Sequence, residues 1–300
     1  MSFAWMARGR AGRAGLALAA AAALGGVVAG PASAVVGGVR LTPSAHPAVV
    51  TLAEACTATL VRGDRLLTAG HCASHVDPGR TTVRIGPGAA SYVAVRVARH
   101  PRFRYQLPAY PAEPDRDVAI VQLDRPVAGV APIPISTRPA RRGERLRLLG
   151  YGTADPDHPG RFGKLRQATL VVRSAAVCRR ELRRVDPEQA PQFHPDRMLC
   201  TQDPDGRPPF ASGCNGDSGG PLLRRDPARR RSVLVGIDSW GVACGARDGD
   251  PEVFVRLARE RAFVVDPRPR WATVRIREPW DEDAGAAGAP ARPRASRDGR

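Results

Sequence analysis

Lysine and asparagine are almost missing from this 300-residue chain: Lys164 and Asn215 each stand alone. Arginine therefore supplies nearly all of the 46 basic residues, against 29 acidic ones, and the formal net charge is +17. A chain rich in Ala, Gly, Pro and Arg yet poor in Lys and Asn carries the mark of GC-rich coding. Codon pressure then accounts for much of the arginine, and no nucleic-acid fold signature accompanies it, so no specific nucleic acid is expected as a partner. Aromatic residues are scarce, at 5%, which leaves the core to aliphatic side chains. No apolar run reaches the roughly 20 residues of a membrane-spanning helix, which excludes a polytopic membrane protein. No CxxC pair occurs, and this removes the common zinc frameworks. What remains is 43% hydrophobic and 25% charged, the composition of a globular fold rather than a disordered chain.

The amino terminus reads as an address. Arg8, Arg10 and Arg13 precede an uncharged stretch from Ala14 to Val28, and Ala32-Ser33-Ala34 places small residues where a signal peptidase reads. Residues 1–34 are expected to be a secretory signal, with Val35 opening the exported chain and no membrane association after cleavage. All six cysteines, Cys56, Cys72, Cys178, Cys200, Cys214 and Cys244, lie beyond that point. An even count in an exported chain favours disulfides over metal ligands, and spacing alone does not choose among the pairings.

Beyond Val35 the chain reads as short β-branched runs broken by Gly and Pro. Ala48 to Ala53, Thr82 to Ile85, Tyr92 to Val97, Val118 to Leu123, Leu146 to Leu149, Thr169 to Val172 and Ser232 to Ile237 are the clearest. Strands without long helices between them argue for an all-β barrel or sandwich. Leu257 to Val265 suits a short helix, which Pro267 should stop. Three fragments carry chemistry. Leu66 to Ala73 sets His71 after an apolar strand, Asp117 opens Val118 to Leu123, and Gly216-Asp217-Ser218-Gly219-Gly220-Pro221 puts Ser218 in a glycine-rich turn. A serine hydroxyl needs a base within hydrogen-bond reach, and that imidazole needs an acceptor to fix its tautomer. Glycines let backbone N–H groups crowd toward a developing oxyanion. His71 and His75 could mimic a metal pair, but no Glu follows His71 as in a zinc hydrolase helix, and no metal is expected.

At these residues the chain resembles the chymotrypsin/trypsin family of serine endopeptidases. The order His, Asp, Ser is that family's, and Val35-Val36-Gly37-Gly38, Thr68-Ala69-Gly70-His71-Cys72, Gly150-Tyr151-Gly152 and Ser239-Trp240-Gly241 recur in family order. The resemblance implies two six-stranded antiparallel β-barrels, the first over about 35–145 and the second over about 146–265, with the site in the cleft between them. It implies His71, Asp117 and Ser218 as the catalytic triad. Asp117 is preferred over Asp115 because the family's aspartate directly precedes an apolar strand, which leaves Asp115 as a solvated loop charge. The backbone N–H groups of Gly216 and Ser218 would form the oxyanion hole, and Asp217 would pair with the amino group that cleavage creates on Val35. The implied disulfides are Cys56–Cys72, Cys178–Cys200 and Cys214–Cys244. No cofactor follows from the resemblance, and the Ser74–Pro87 loop offers only Asp77 toward calcium. The expected partner is a protein or peptide substrate, met by a monomer.

Specificity is less determined. The family pattern sets Ser212 at the floor of the primary pocket, which makes that floor neutral and suits aromatic or large aliphatic side chains. Gly241 leaves the pocket mouth open, and Ser239, Trp240 and Gly241 would pair with substrate backbone. Glu252, in Pro251-Glu252-Val253-Phe254, replaces a pocket-lining glycine. Two readings stay open for it: a buried carboxylate that pairs with a substrate Lys or Arg, or a side chain that faces solvent. Arg224-Arg225 and Arg229 to Arg231 flank a turn at Asp226-Pro227, a solvated basic hairpin or a polyanion site. A catalytically inactive homologue that binds, for example, polyanions is the alternative function. Residues 266–300 are an extension, with Trp271 to Arg277 alternating like one strand and Ala284 to Arg300 expected to be disordered.

Overall fold

The computed structural model describes residues 35–86, 88–103, 115–153, 163–207, 210–228, 231–242 and 249–266. Thirteen strands and two α-helices occur among them: β1 Val39–Arg40, β2 Val49–Leu52, β3 Cys56–Arg62, β4 Arg65–Thr68, β5 Thr82–Ile85, β6 Ala90–Arg99, β7 Ala119–Leu123, β8 Arg145–Gly150, β9 Arg166–Val172, α1 Ala175–Val185, β10 Met198–Gln202, β11 Pro221–Asp226, β12 Arg231–Gly241, β13 Glu252–Arg256 and α2 Leu257–Val265. The expected strand at Trp271 to Arg277 and the tail after it lie outside the described residues.

The strands form two six-stranded antiparallel barrels. The first runs β2-β3-β4-β7-β6-β5, and β5 returns alongside β2 without a ladder, so the ring is nearly closed. In the second, β8-β9-β10-β13-β12-β11, β8 pairs with both β11 and β9 and the ring closes. By chain order β1 falls in the first barrel, but it pairs with β9, and Val36 bridges Ser212. The segment after Val35 is thus stitched to the second barrel.

Side-chain alternation explains how two barrels become one unit. Successive residues of a strand point to opposite faces. Val50, Leu66 and Val121 fill the first barrel, while their neighbours Val49, Leu67 and Ile120 turn to a shared layer between the barrels. Leu148, Leu222, Val235 and Phe254 fill the second barrel, and Leu149, Leu223, Leu234 and Val255 join that same layer. Both faces are apolar, so these strands read as continuous hydrophobic runs rather than alternating ones. Each such side chain contributes about 2 kcal/mol by leaving water. Tyr151 Oη also crosses the layer, donating to Val49 O at 3.2 Å, and burial pushes its phenol up to about 12.

The helix α1 was not expected. Ser174 caps it, its side chain accepting from Val177 N at 3.3 Å. Its buried residues, Cys178 and Leu182, lie one turn apart, which is one contact face on an otherwise Arg-rich helix. The expected short carboxy-terminal helix is α2, and it ends at Val265, two residues before Pro267. No helix among the described residues is long and apolar enough to cross a membrane.

Candidate active site

His71 begins a 3-10 turn, His71–His75, where β4 leaves the first barrel. The Cys56–Cys72 disulfide ties that turn to the start of β3, and Cys178–Cys200 ties α1 to β10. They close loops of 16 and 22 residues, each worth about 3 kcal/mol through the unfolded chain. Cys214 is also disulfide-bonded, and its expected partner Cys244 lies outside the described residues. Cys56, His71 and Cys72 gather potential metal-ligand atoms within 4.8 Å. Both sulfurs are already bonded to each other, so no thiolate is free to coordinate.

Asp117 sits just before β7 and is 1% exposed. Its Oδ2 lies 2.8 Å from His71 Nδ1, and its Oδ1 accepts from the His71 backbone N–H at 2.8 Å. Ser239 Oγ donates to Oδ2 at 2.7 Å. Three donors therefore fix one carboxylate. Burial pulls the His71 imidazole down, but Asp117 and, farther off, Asp238 outweigh it, and the net displacement is upward. Ser239 was expected only as a backbone partner of substrate. A β-bulge between Asp238 and Trp240 lets its hydroxyl reach Asp117, and nothing in the sequence marks that bulge.

The Asp117 loop is held from outside the barrel. Arg116 adopts φ 57°, a left-handed conformation, and its Nη1 reaches both Glu260 oxygens of α2 at 3.1 and 3.3 Å. His100 Nε2 lies 3.4 Å from the same carboxylate, which is 2% exposed. Glu260→Ala should destabilise the fold by about 2–3 kcal/mol, because it leaves a guanidinium and an imidazole facing a void. A urea midpoint that does not move would contradict this. Asp115, expected to be solvated, instead accepts from Arg197 Nε at 2.5 Å.

Ser218 lies in the turn between the barrels. Its carbonyl accepts from Thr57 N at 2.9 Å, and that carbonyl is 3.6 Å from Cys72 Sγ, so the serine stands beside the His71 turn. Gly219, at φ +79°, explains the glycine that follows: a Cβ there would overlap Thr68 Oγ1 and Thr57 O. Thr57 Oγ1 donates to Gly216 O at 2.8 Å and accepts from Tyr151 N at 3.0 Å. Thr57 thus holds the carbonyls of both Gly216 and Ser218, a role the sequence did not announce.

Asp217 points the other way and is fully buried. It accepts from Gly152 N at 2.9 Å, Cys214 N at 3.0 Å and Val35 N at 3.2 Å. Burial and nearby Asp238 push its carboxyl up to about 8, against the pull of those three N–H groups. Ser212 is buried, donating its hydroxyl to Gly213 O at 3.1 Å. Trp240 and Gly241 end β12 opposite Val253 and Glu252. Glu252 is 5% exposed, which removes the solvent-facing reading. Arg224 is buried too, bonded to Glu144 and to the carbonyls of Arg138 and Pro139. It contributes nothing to a basic surface, and Arg229 and Arg230 lie outside the described residues.

Two antiparallel barrels meeting at a His–Asp pair with a buried carboxylate, and a glycine-rich serine turn beside it, are the frame of double-barrel serine hydrolases. Residues 35–264 match the trypsin family profile, and the chain belongs to that family. It is 32% identical over 240 residues to human serine protease 56, covering 75% of this chain and 37% of that protein. It is 27% identical over 247 residues to the trypsin of Saccharopolyspora erythraea, covering 74% and 93% respectively. The chain spans 22% of rat transmembrane protease serine 9, to which it is 30% identical over 253 residues. Several of these relatives are therefore much longer than the region they share with this chain. The fold matches that of neuropsin, a serine protease expressed in the limbic system of mouse brain, with TM-score 0.61, 23% identity, and coverage of 77% of this chain and 98% of that one.

Proposed function

We propose that this chain is a secreted, monomeric serine endopeptidase that hydrolyses protein or peptide substrates through an acyl-enzyme. Ser218 Oγ attacks the scissile carbonyl while His71 Nε2 takes its proton. The N–H groups of Gly216 and Ser218 stabilise the oxyanion, His71 then protonates the leaving amine, and water repeats the sequence to release the acid. Asp117 keeps the Nδ1–H tautomer, so Nε2 is the basic nitrogen. The observation that carries this reading is the 2.8 Å bond from His71 Nδ1 to a carboxylate that Ser239 also anchors. The chemistry asks only for side chains, backbone N–H groups and water. An organophosphonate should label the protein at one serine, mapped to Ser218 by mass spectrometry. An unlabelled protein would leave the inactive binding homologue as the better reading.

Activation follows from the same geometry. Val35 is buried, and its nitrogen already faces Asp217. Cleavage after Ala34 would turn that amide into an ammonium and give the buried carboxylate its counter-charge. Export would then be the activating step, with no further segment to remove. Amino-terminal sequencing of the secreted protein should return Val-Val-Gly-Gly, and a start upstream of Val35 with full activity would refute the proposal.

A further inference from the structure

A cavity of about 670 Å³ opens between α1 and the loop that leads into β10, and none of His71, Asp117 and Ser218 lines it. Arg179 and Arg183 stand on its α1 side, and Pro191, Phe193, His194 and Pro195 on its loop side. The two arginines are four residues apart, so they share a helix face, next to the buried pair Cys178 and Leu182. Both are exposed, and among the described residues neither is in an ion pair or a hydrogen bond. The arginines around them are matched. Arg180 and Arg184 hold Glu181, Arg184 also reaches Asp250, and Arg197 bonds Asp196, the one acid that lines the cavity. Two uncompensated guanidinium groups thus border proline and aromatic surface, a lining that suits an acidic segment with an apolar anchor.

Such a segment occurs in the chain itself. Asp281-Glu282-Asp283 is the only place in the sequence where acidic residues adjoin, and Glu278-Pro279-Trp280 precedes it. We propose that residues 278–283, which lie outside the described residues, dock in this cavity, with their carboxylates matched to Arg179 and Arg183 and with Trp280 against the prolines. The reach of the chain allows it. The helix α2 starts beside the cavity, where Arg256 Nε donates to Pro195 O at 3.0 Å and Arg259 Nε to Asp196 O at 3.2 Å. Its nine residues carry the chain about 14 Å away. The eleven residues 267–277 span up to about 36 Å when extended. The tether also keeps these acids at an effective concentration on the order of millimolar, which an acidic partner from solution or a second copy must exceed. Another arginine-rich cavity, of about 370 Å³, is lined by Arg138, Arg141, Arg142 and Arg224. There Arg224 already pairs with Glu144, and no aromatic residue lines the cavity to receive Trp280. Docking has a consequence for the cleft, because Ala190 and Phe193 pack in one apolar cluster with Trp240. A segment seated on the 190–196 loop braces the end of β12 from behind. The docking itself goes beyond the endopeptidase reading and does not rest on it.

The scarcity of lysine makes a clean test. In full-length Ser218→Ala, which removes the nucleophile for self-cleavage, Arg183→Lys adds a side-chain amine to a chain whose only other is Lys164. A water-soluble carbodiimide condenses a carboxyl group with an amine in contact with it and takes up the released water as a urea. Peptide mapping should find the new amine at position 183 joined to Glu278, Asp281, Glu282 or Asp283 within the monomer. The yield should be about ten-fold that from position 141 in Arg141→Lys, which places an amine in the other cavity. Adding Arg179→Glu should lower the yield several-fold, and about 1 M salt should do the same. A second measurement reads the cavity without the tether. A labelled peptide of residues 278–283 should bind the full chain in which Glu278, Asp281, Glu282 and Asp283 are changed to Gln or Asn, and Arg179→Glu with Arg183→Glu should abolish that binding. Both arginines are exposed, so these substitutions leave the core intact. No cross-link from position 183 to those acids, equal yields at 183 and 141, or peptide binding indifferent to the two arginines would overturn the proposal. Cross-links found only in dimers would also overturn it and assign the cavity to a contact between copies.

Discussion

Ser218→Ala should lower kcat by about 10⁶-fold with KM nearly unchanged, because the attacking oxygen is gone while the binding surface stays. A change of that size corresponds to about 8 kcal/mol of transition-state stabilisation. The double variant with His71→Ala should be no worse than either single one, since base and nucleophile act as one unit. Asp117→Asn tests the third member through its own geometry. The His71 backbone N–H occupies one oxygen of Asp117, so an amide oxygen would stay there and the amide NH₂ would face Nδ1. That arrangement reverses the tautomer, moves the proton to Nε2 and should lower kcat by about 10⁴-fold. In the wild type, His71 must be neutral to act as base. Its value is raised above 6.5, so kcat/KM should climb as pH passes through a point above 6.5. Stopped-flow assays with a chromogenic peptide amide would measure all of these, and a Ser218→Ala loss below ten-fold would remove the mechanism.

Much of this site was legible because its chemistry depends on short, ordered segments. His71 follows an apolar strand, Asp117 precedes one, and Ser218 lies in a glycine-rich turn, and the fold brings His71 and Asp117 into contact. The buried strands were harder. β10, β11 and β13 are buried on both faces along most of their length, so no clean period of two survives in their sequences. The helix α1 hides for a related reason: a single narrow contact at Cys178 and Leu182 leaves the other faces polar and Arg-rich. Asp238 and Ser239 illustrate a different limit. Asp238 follows an apolar run and Ser239 belongs to a familiar triplet, but their directions are set by a bulge with no residue signature. Arg224 reads as surface charge in the sequence, yet Glu144 lies on another strand's approach and draws it inward. Burial of charge is decided by partners distant along the chain, and a linear reading does not locate them.

Asp217, Asp238 and Glu252 crowd one end of the second barrel, and each raises the cost of ionising another. With Val35 in peptide linkage, burial and Asp238 hold Asp217 up to about 8, so its ionised form is disfavoured. An ammonium on Val35 would draw it down and return one negative charge to the turn that carries Gly216 and Ser218.

Asp217→Asn should therefore reduce kcat/KM by about 10²- to 10³-fold while leaving Ser218, His71 and Asp117 in place, since it undoes the order of the oxyanion donors rather than the proton transfer. The sign of the pH dependence separates this from a general loss of stability. Pairing with Asp217 raises the pKa of the Val35 ammonium above its usual range near 8. The ordered turn is then fully present below that range and is lost as pH rises through the raised value. Wild-type activity should fall at alkaline pH, and Asp217→Asn should lose that fall together with most of its activity. A chain that begins one residue upstream, at Ala34, should behave like the variant, because its ammonium cannot reach the buried carboxylate. Slow activation after a jump from alkaline to neutral pH would report the turn reordering, and an alkaline limb that persists unchanged in Asp217→Asn would assign it to another group.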